Sequence, residues 1–354
     1  MIMKFRKIYS LFCLAILACI TQCCEPDFDI NARNRDITVA YGLLDIRDSI
    51  HYVKVYKGFQ SSGNPLSDAA QMENLYYFDK IEVALEEYDD KGNLMQVVTL
   101  DTTTQIPRRD GVFSAPTQLL YTNREYLFLD PNATYKLKIR NKETGKITEG
   151  RTEIVDHFSI RYPYAMAPMN LTAKEAEIQF DAANNAAAYQ VTFKFHYLEK
   201  NRVTGNVVRK TLERDLTASG FVIANGTTGK YSKKFSPRDL YNQLLNELEV
   251  DNSVIRYKDG YQCVEIEVWA GGKDWVRYLN VNKPSTSLVQ DRLELTNLSS
   301  PQDVDSGFVT SYGLISSRTM QERFFDMDNR SEDTLVVSSR MKALGFDYYR
   351  NFEQ

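Results

Sequence analysis

Leu129-Asp130-Pro131-Asn132-Ala133-Thr134-Tyr135-Lys136-Leu137-Lys138-Ile139 is the stretch on which the fold reading turns. A Pro-Asn turn leads into a tyrosine, and the tyrosine opens a run alternating charged and apolar residues. This is the pattern of a tyrosine corner, in which a tyrosine near the start of a late strand of an immunoglobulin-like sandwich folds under the preceding loop and donates its hydroxyl to upstream backbone. Leu137 and Ile139 are expected to face a core, and Lys136 and Lys138 to face water.

The sequence on either side keeps the period of two. ITVAYGLLDI (37–46) and HYVKVYKGF (51–59) read as strands, and DKIEVALEEYDDKGNLMQVVTL (79–100) reads as a hairpin turning at Asp89–Gly92, where glycine supplies positive φ. After Tyr162-Pro163-Tyr164 the pattern breaks and resumes. AAYQVTFKFHYLE (187–199) puts Val191, Phe193 and Phe195 on one face, and a turn at Asn201–Asn206 leads to VVRKTLERDL (207–216). QCVEIEVWAGGKDWVRYLNV (262–281) is expected to be a hairpin turning at Gly271-Gly272, with Val264, Ile266 and Val268 inward and Glu265, Glu267 and Trp269 on the other face.

One segment has helical spacing. SPRDLYNQLLNELE (236–249) offers Ser236 as a cap, Pro237 at the first turn, Asp239 three residues after the cap, and a stripe of Leu240, Leu244, Leu245 and Leu248. It is expected to lie over a sheet, where it could cover Trp269. The fold expectation is therefore mainly β: two packed immunoglobulin/fibronectin-like β-sandwich units, 36–160 and 161–354, with one inserted amphipathic helix near 236–249.

The N-terminus reads as an export leader over 1–24, with Lys4, Arg6 and Lys7 before a short apolar run, followed by a tether over 25–35. That run is shorter than the roughly 20 residues a membrane span needs. Cys24 is the favoured lipid acceptor, followed at once by Glu25, Asp27 and Asp29; Cys19 and Cys23 are the alternatives. With Cys24 as the first mature residue, Cys263 is the one remaining thiol, so stability must come from packing.

The chain carries 43 basic and 47 acidic residues, and loss of the leader's three cations takes the formal charge from −4 to −7. A nucleic-acid partner is not expected from that balance. No nucleophile elbow, zinc-protease motif or glycine-rich phosphate loop occurs, and His51, His157 and His196 are widely spaced. No catalytic residue, metal ligand or cofactor is expected. Adjacent acids such as Glu86-Glu87 and Asp89-Asp90 read as solvated, and Asp326, Asp328, Asn329, Glu332 and Asp333 only faintly follow a calcium loop, with Arg330 at a ligand position. Among 22 tyrosines, 18 phenylalanines and two tryptophans, Tyr162, Tyr164, Trp269 and Trp275 have polar or loop-like surroundings and form the candidate ligand platform.

Three stretches carry a family resemblance: YGLLDIRDSIHYVKVYKGF (41–59), DGVFSAPTQLLY (110–121) with LDPNATYKLKI (129–139), and ELTNLSSPQDVDSGFVTSYGLISSR (294–318). In these the chain resembles a family of uncharacterised Bacteroidota outer-membrane lipoproteins of immunoglobulin-like β-sandwich character. The resemblance implies a cell-envelope location, surface-exposed or periplasmic, a membrane contact through the N-terminal lipid, and no assigned catalytic residue. The function expected is a non-catalytic binding or assembly module for a glycan or envelope protein. The alternatives are a glycan hydrolase using a carboxylate pair, which a convergent acid pair flanking Trp269 or Trp275 would put ahead of the binding reading, and a structural adhesin or surface-complex subunit. The tail from Leu295 is expected to be folded, so that a cut at Asn297 is destructive and a cut after Gly345 is not.

Overall fold

The computed structural model describes residues 36–58, 65–68, 70–107, 117–226, 228–281 and 295–352. The leader, its cysteines Cys19, Cys23 and Cys24, and the tether lie outside the described residues. The chain is mainly β. Its strands are β1 (Thr38–Asp45), β2 (Tyr52–Lys57), β3 (Ile81–Tyr88), β4 (Leu94–Thr103), β5 (Leu120–Thr122), β6 (Thr134–Asn141), β7 (Ile147–Glu153), β8 (Ile160–Tyr162), β9 (Ala176–Asp181), β10 (Ala188–Asn201), β11 (Val207–Asp215), β12 (Val222–Ile223), β13 (Lys230–Phe235), β14 (Val254–Lys258), β15 (Val264–Gly271), β16 (Leu298–Ser299) and β17 (Ser311–Phe325).

The first sandwich grows from the β3–β4 hairpin. Asp89 Oδ1 accepts the N–H groups of Lys91 and Asn93 at 3.0 and 2.7 Å, and Gly92 sits at φ +82°, so the turn forms as its sequence expects. β4 is long enough to serve two sheets: Leu94–Leu100 pair with β3, and Asp101–Thr103 pair with β5. One sheet runs β4-β3-β6-β7-β16, and the other runs β4-β5-β2-β1-β17. Leu85, Leu137 and Ile139 of the first meet Leu44, Val53 and Ile315 of the second in one buried cluster.

Tyr135 is the corner, with 1% of its surface exposed. Its hydroxyl accepts the Asp130 N–H at 2.9 Å, which reverses the expected donor. The reason is local: Asp130 turns the chain through its carbonyl, which accepts from Ala133, and leaves its own amide in need of an acceptor. Lys136 departs from expectation too. It is 8% exposed, because cross-strand pairing sets it beside Glu86, at 2.7 Å, and Glu149, at 3.4 Å. Burial acts to raise the Glu86 carboxyl, but hydrogen bonds from Lys136, Tyr88 and Lys138 outweigh it and hold the group down at about 2.

The second sandwich faces a three-stranded sheet, β13-β9-β8, against β10, β11, β14, β15 and the later half of β17. Ile178 and Phe180 meet Tyr189, Val191 and Phe195 in its core. Tyr189 repeats the corner, its hydroxyl accepting the Ala183 N–H at 2.7 Å. β17 links the two units: Ser311–Arg318 run parallel to β1, and Arg318–Phe325 run antiparallel to β15.

Helices are more numerous than the single one expected. The anticipated helix spans Asp239–Glu247, starting three residues after Ser236, because Pro237 and Arg238 form a separate turn and Ser236 Oγ donates to the Asp239 carboxylate at 3.1 Å instead of capping an amide. Leu240, Tyr241 and Leu244 are buried in the second core, and the Tyr241 hydroxyl donates to the Ser331 carbonyl at 3.0 Å. Further helices span Lys273–Val281 and Asn329–Val337. Asp328 caps the latter by accepting the Ser331 N–H at 2.8 Å, and Asp326 is bound by Lys258, so two oxygens of the faint calcium pattern already have partners.

Candidate functional site

Trp269 and Trp275 are brought together by a change of secondary structure between them. β15 ends at Gly271, and the Lys273–Val281 helix starts after Gly272, with the Val276 N–H reaching the Gly272 carbonyl at 3.0 Å. This corrects the hairpin expected at Gly271-Gly272. Trp275, Val276 and Leu279 lie at offsets of one and four, a helical spacing and not an alternating one. Both glycines allow close approach: a Cβ at Gly271 would stand 2.9 Å from Trp275 Cδ1, and one at Gly272 would stand 3.2 Å from the Ser317 carbonyl oxygen. The Trp275 N–H donates to Ser316 Oγ at 3.1 Å, fastening the helix to β17.

The product is a cleft of about 160 Å³ lined by both tryptophans, Phe221, Leu279, Gln190 and Arg318. Trp269 and Trp275 are each half-buried. Their settings differ. The guanidinium carbons of Arg318 and Arg47 stand 4.6 and 5.5 Å from the Trp269 ring centroid, and Trp269 Nε1 donates to Glu267 at 3.2 Å. Two arginines therefore cover Trp269, and the Asp239–Glu247 helix lies in the second core instead. Trp275 stacks on Tyr278, with centroids 5.9 Å apart and planes 12° apart, and Tyr278 meets Tyr41 edge-on at 6.3 Å.

The two arginines share one buried carboxylate. Asp45 Oδ1 accepts Arg47 Nε at 2.9 Å and Oδ2 accepts Arg47 NH2 at 2.7 Å, a two-point pair that satisfies Arg47. Arg318 Nε remains 3.9 Å from Asp45 Oδ2, and it is buried without a hydrogen-bond partner among the described residues. Burial, with repulsion from Arg47, lowers its pKa against the pull of Asp45 and Asp48.

An acid group also converges beside Trp269. Glu265, Glu267 and Glu322 bring carboxylate oxygens within 4.8 Å of one another. Alternation along β15 and β17 places them on the outer face with Trp269 and Met320. Lys194 binds Glu265 at 3.2 Å and also Glu267, while His196 Nε2 and Glu265 are 2.8 Å apart. Burial and the bond with Glu267 raise the pKa of Glu265. Burial acts the same way on Glu267, but its bonds with Glu265, Lys194 and Trp269 prevail and lower it. The ammonium of Lys194 thus already offsets two of the three acids. None of the three acids lines the cleft.

Tyr162 and Tyr164 pair with each other, centroids 5.5 Å apart and perpendicular, flanking a cis Tyr162-Pro163 bond. Arg323 holds the Pro163 carbonyl at 2.8 Å, and Arg323 has the parity of Ile266, opposite to that of Trp269. The tyrosine pair is therefore a separate surface. The histidines do not assemble: His51 Nε2 meets the Leu127 carbonyl, His196 meets Glu265 and Thr211, and His157 is exposed. Arg318, Arg47 and Gln190 were absent from the sequence-based site. The adjacency of β1 to β17 was the missing signal, and no local pattern carries it.

No protein-family model matches the chain, and no curated protein matches it. Among solved structures it is similar to a biofilm-associated protein BSP domain, at 10% identity and a TM-score of 0.17, over 86% of this chain and 62% of that one. It is also similar to CBD12 from CALX1.2, at 10% identity and a TM-score of 0.17, over 79% of this chain and 98% of that one. The chain thus spans about 62% of the length of the first of these. Similarity at that level carries no functional argument; the strand pairing itself defines a chain of β-sandwich class.

Proposed function

We propose that the chain is a non-catalytic, lipid-anchored cell-envelope protein that binds a ligand, a glycan by preference, in the Trp269–Trp275 cleft. The observation that carries this reading is the convergence of two tryptophans and an underpaired arginine on one concave surface, built by the glycine joint. Flat rings suit the apolar face of a sugar. Anchoring is supported by the leader sequence and by Cys24, and no helix among the described residues is long and apolar enough to cross a membrane. Radiolabelled palmitate is expected in the intact protein and not in a Cys24→Ala variant.

Calorimetric titration with a panel of neutral and acidic oligosaccharides tests the binding reading. Saturable binding to one of them that a Trp275→Ala variant loses supports it; binding that survives the change places the ligand elsewhere.

A hydrolase is the second reading, favoured by Glu265, Glu267 and Glu322 beside Trp269. Their oxygens lie within 4.8 Å of one another, closer than the roughly 5–5.5 Å of a retaining pair. Two of the three are bound by Lys194, and none of them lines the cleft. Release of reducing ends from the same oligosaccharide panel, abolished by Glu267→Gln, would replace the binding reading with this one.

A further inference from the structure

We propose that the cleft selects a sugar ring carrying a carboxylate, a uronic acid unit of an anionic polysaccharide, with Arg318 as the group that recognises the carboxylate. This rests on the binding reading above and narrows its ligand. Three features of the cleft converge on that chemistry.

The first is charge. Arg318 is the one charged residue among those that line the cleft, and its Nε has no hydrogen-bond partner among the described residues. Asp45 is already engaged at both oxygens by Arg47, so Arg318 holds only a 3.9 Å approach to it and a place over the Trp269 ring. Stacking on an aromatic face leaves the edge of the fork, with its N–H donors, open to a ligand. A planar guanidinium with unused donors matches a carboxylate in two-point geometry.

The second is the acceptor. Gln190 lines the same cleft, and one N–H of its amide donates to Asp215 at 3.0 Å, which leaves the amide oxygen to accept a hydrogen bond and the second N–H to donate one. A hydroxyl of the ligand fits that oxygen.

The third is size. About 160 Å³ is well below the roughly 300–1,000 Å³ of pockets that enclose a whole drug-sized molecule. One ring enters beside Trp275, and the neighbouring units of a polymer stay outside. On the acidic outer face beyond Trp269, Lys194 and His196 bind Glu265, and Lys194 and the indole N–H bind Glu267, so two of the three acids there are already offset and the third, Glu322, is exposed to solvent.

The test uses the whole mature protein. Trigalacturonate, a mannuronate trimer and a glucuronate-containing disaccharide are each titrated beside their methyl esters, which keep ring and hydroxyls and remove the charge. The only two tryptophans of the chain both line the cleft, so intrinsic tryptophan fluorescence reports on this site alone. At least one acid is expected to bind about 10- to 100-fold tighter than its own ester, the worth of one charge-assisted contact. Arg318→Met is expected to bring that ratio close to one, and Arg318→Lys, which keeps the charge without the fork, to give an intermediate ratio. An ester that binds as well as its acid overturns the inference and leaves the binding module standing. Failure of every acidic and neutral sugar, with a free aromatic carboxylate such as indole acetate binding instead, overturns the inference and the glycan reading together.

Discussion

The Trp275 ring lies against Gly271 so closely that a Cβ there would stand 2.9 Å from Cδ1. Gly271→Ala should push the indole off the strand edge, change the intrinsic fluorescence and weaken ligand binding, at a cost of about 1–3 kcal/mol in stability. Unchanged emission and affinity would mean that this contact does not shape the cleft.

Tyr135 and Tyr189 perform the same task in separate cores, each accepting one backbone N–H. Removing either hydroxyl leaves a donor without its acceptor, so Tyr135→Phe and Tyr189→Phe should each cost about 1–2 kcal/mol by urea denaturation. They share no partner, so the double variant should show the sum. A cost near zero for Tyr135→Phe would remove the corner from the stability of the first sandwich.

Glu86 supplies a pH dependence. Its carboxyl falls from the ordinary 4.5 to about 2 on folding, so its contribution is present above 4.5 and fades as pH drops toward about 2. Lys136 moves upward from 10.5, so its share is fully present below that value and is lost only in strong alkali. Between about pH 5 and about pH 3, denaturant unfolding should show the wild type losing about 1–2 kcal/mol more than Glu86→Gln, after screening at the sheet surface. Equal losses would show that the pair carries no such contribution.

Ending the chain at Asn297 removes β17, which pairs with both β1 and β15, and aggregation is expected. Ending it after Gly345 is no longer harmless, because Phe346 is 6% exposed and its ring lies 5.9 Å from Tyr197. Its loss should cost about 3–5 kcal/mol and lower the melting temperature, whereas a chain ending at Phe352 should melt with the intact one.

The sandwich class was legible because its signals are local: the Tyr135 corner, the alternation of Ile81, Val83 and Leu85, and the turn at Asp89–Gly92. Burial of Lys136 was not, since its partner Glu86 lies on a strand joined to it only by folding. Gly271-Gly272 misled because paired glycines serve a tight hairpin and a close strand-to-helix joint equally well; the offsets of Trp275, Val276 and Leu279 distinguish the two. Trp269 and Trp275 were legible as candidates by their polar context. Arg318 and Arg47 were not, since the parallel pairing of β1 with β17 joins opposite ends of the chain.

Indole resonances test the central claim most directly. With two tryptophans, the nitrogen-15 spectrum of the intact mature protein should contain two indole N–H peaks, from Trp269 and Trp275. Titration with trigalacturonate or the other acidic sugars should move both peaks saturably, with one shared affinity that Arg318→Met weakens. Saturable binding of such a sugar with both indole peaks unmoved would contradict the assignment of the ligand site to this cleft.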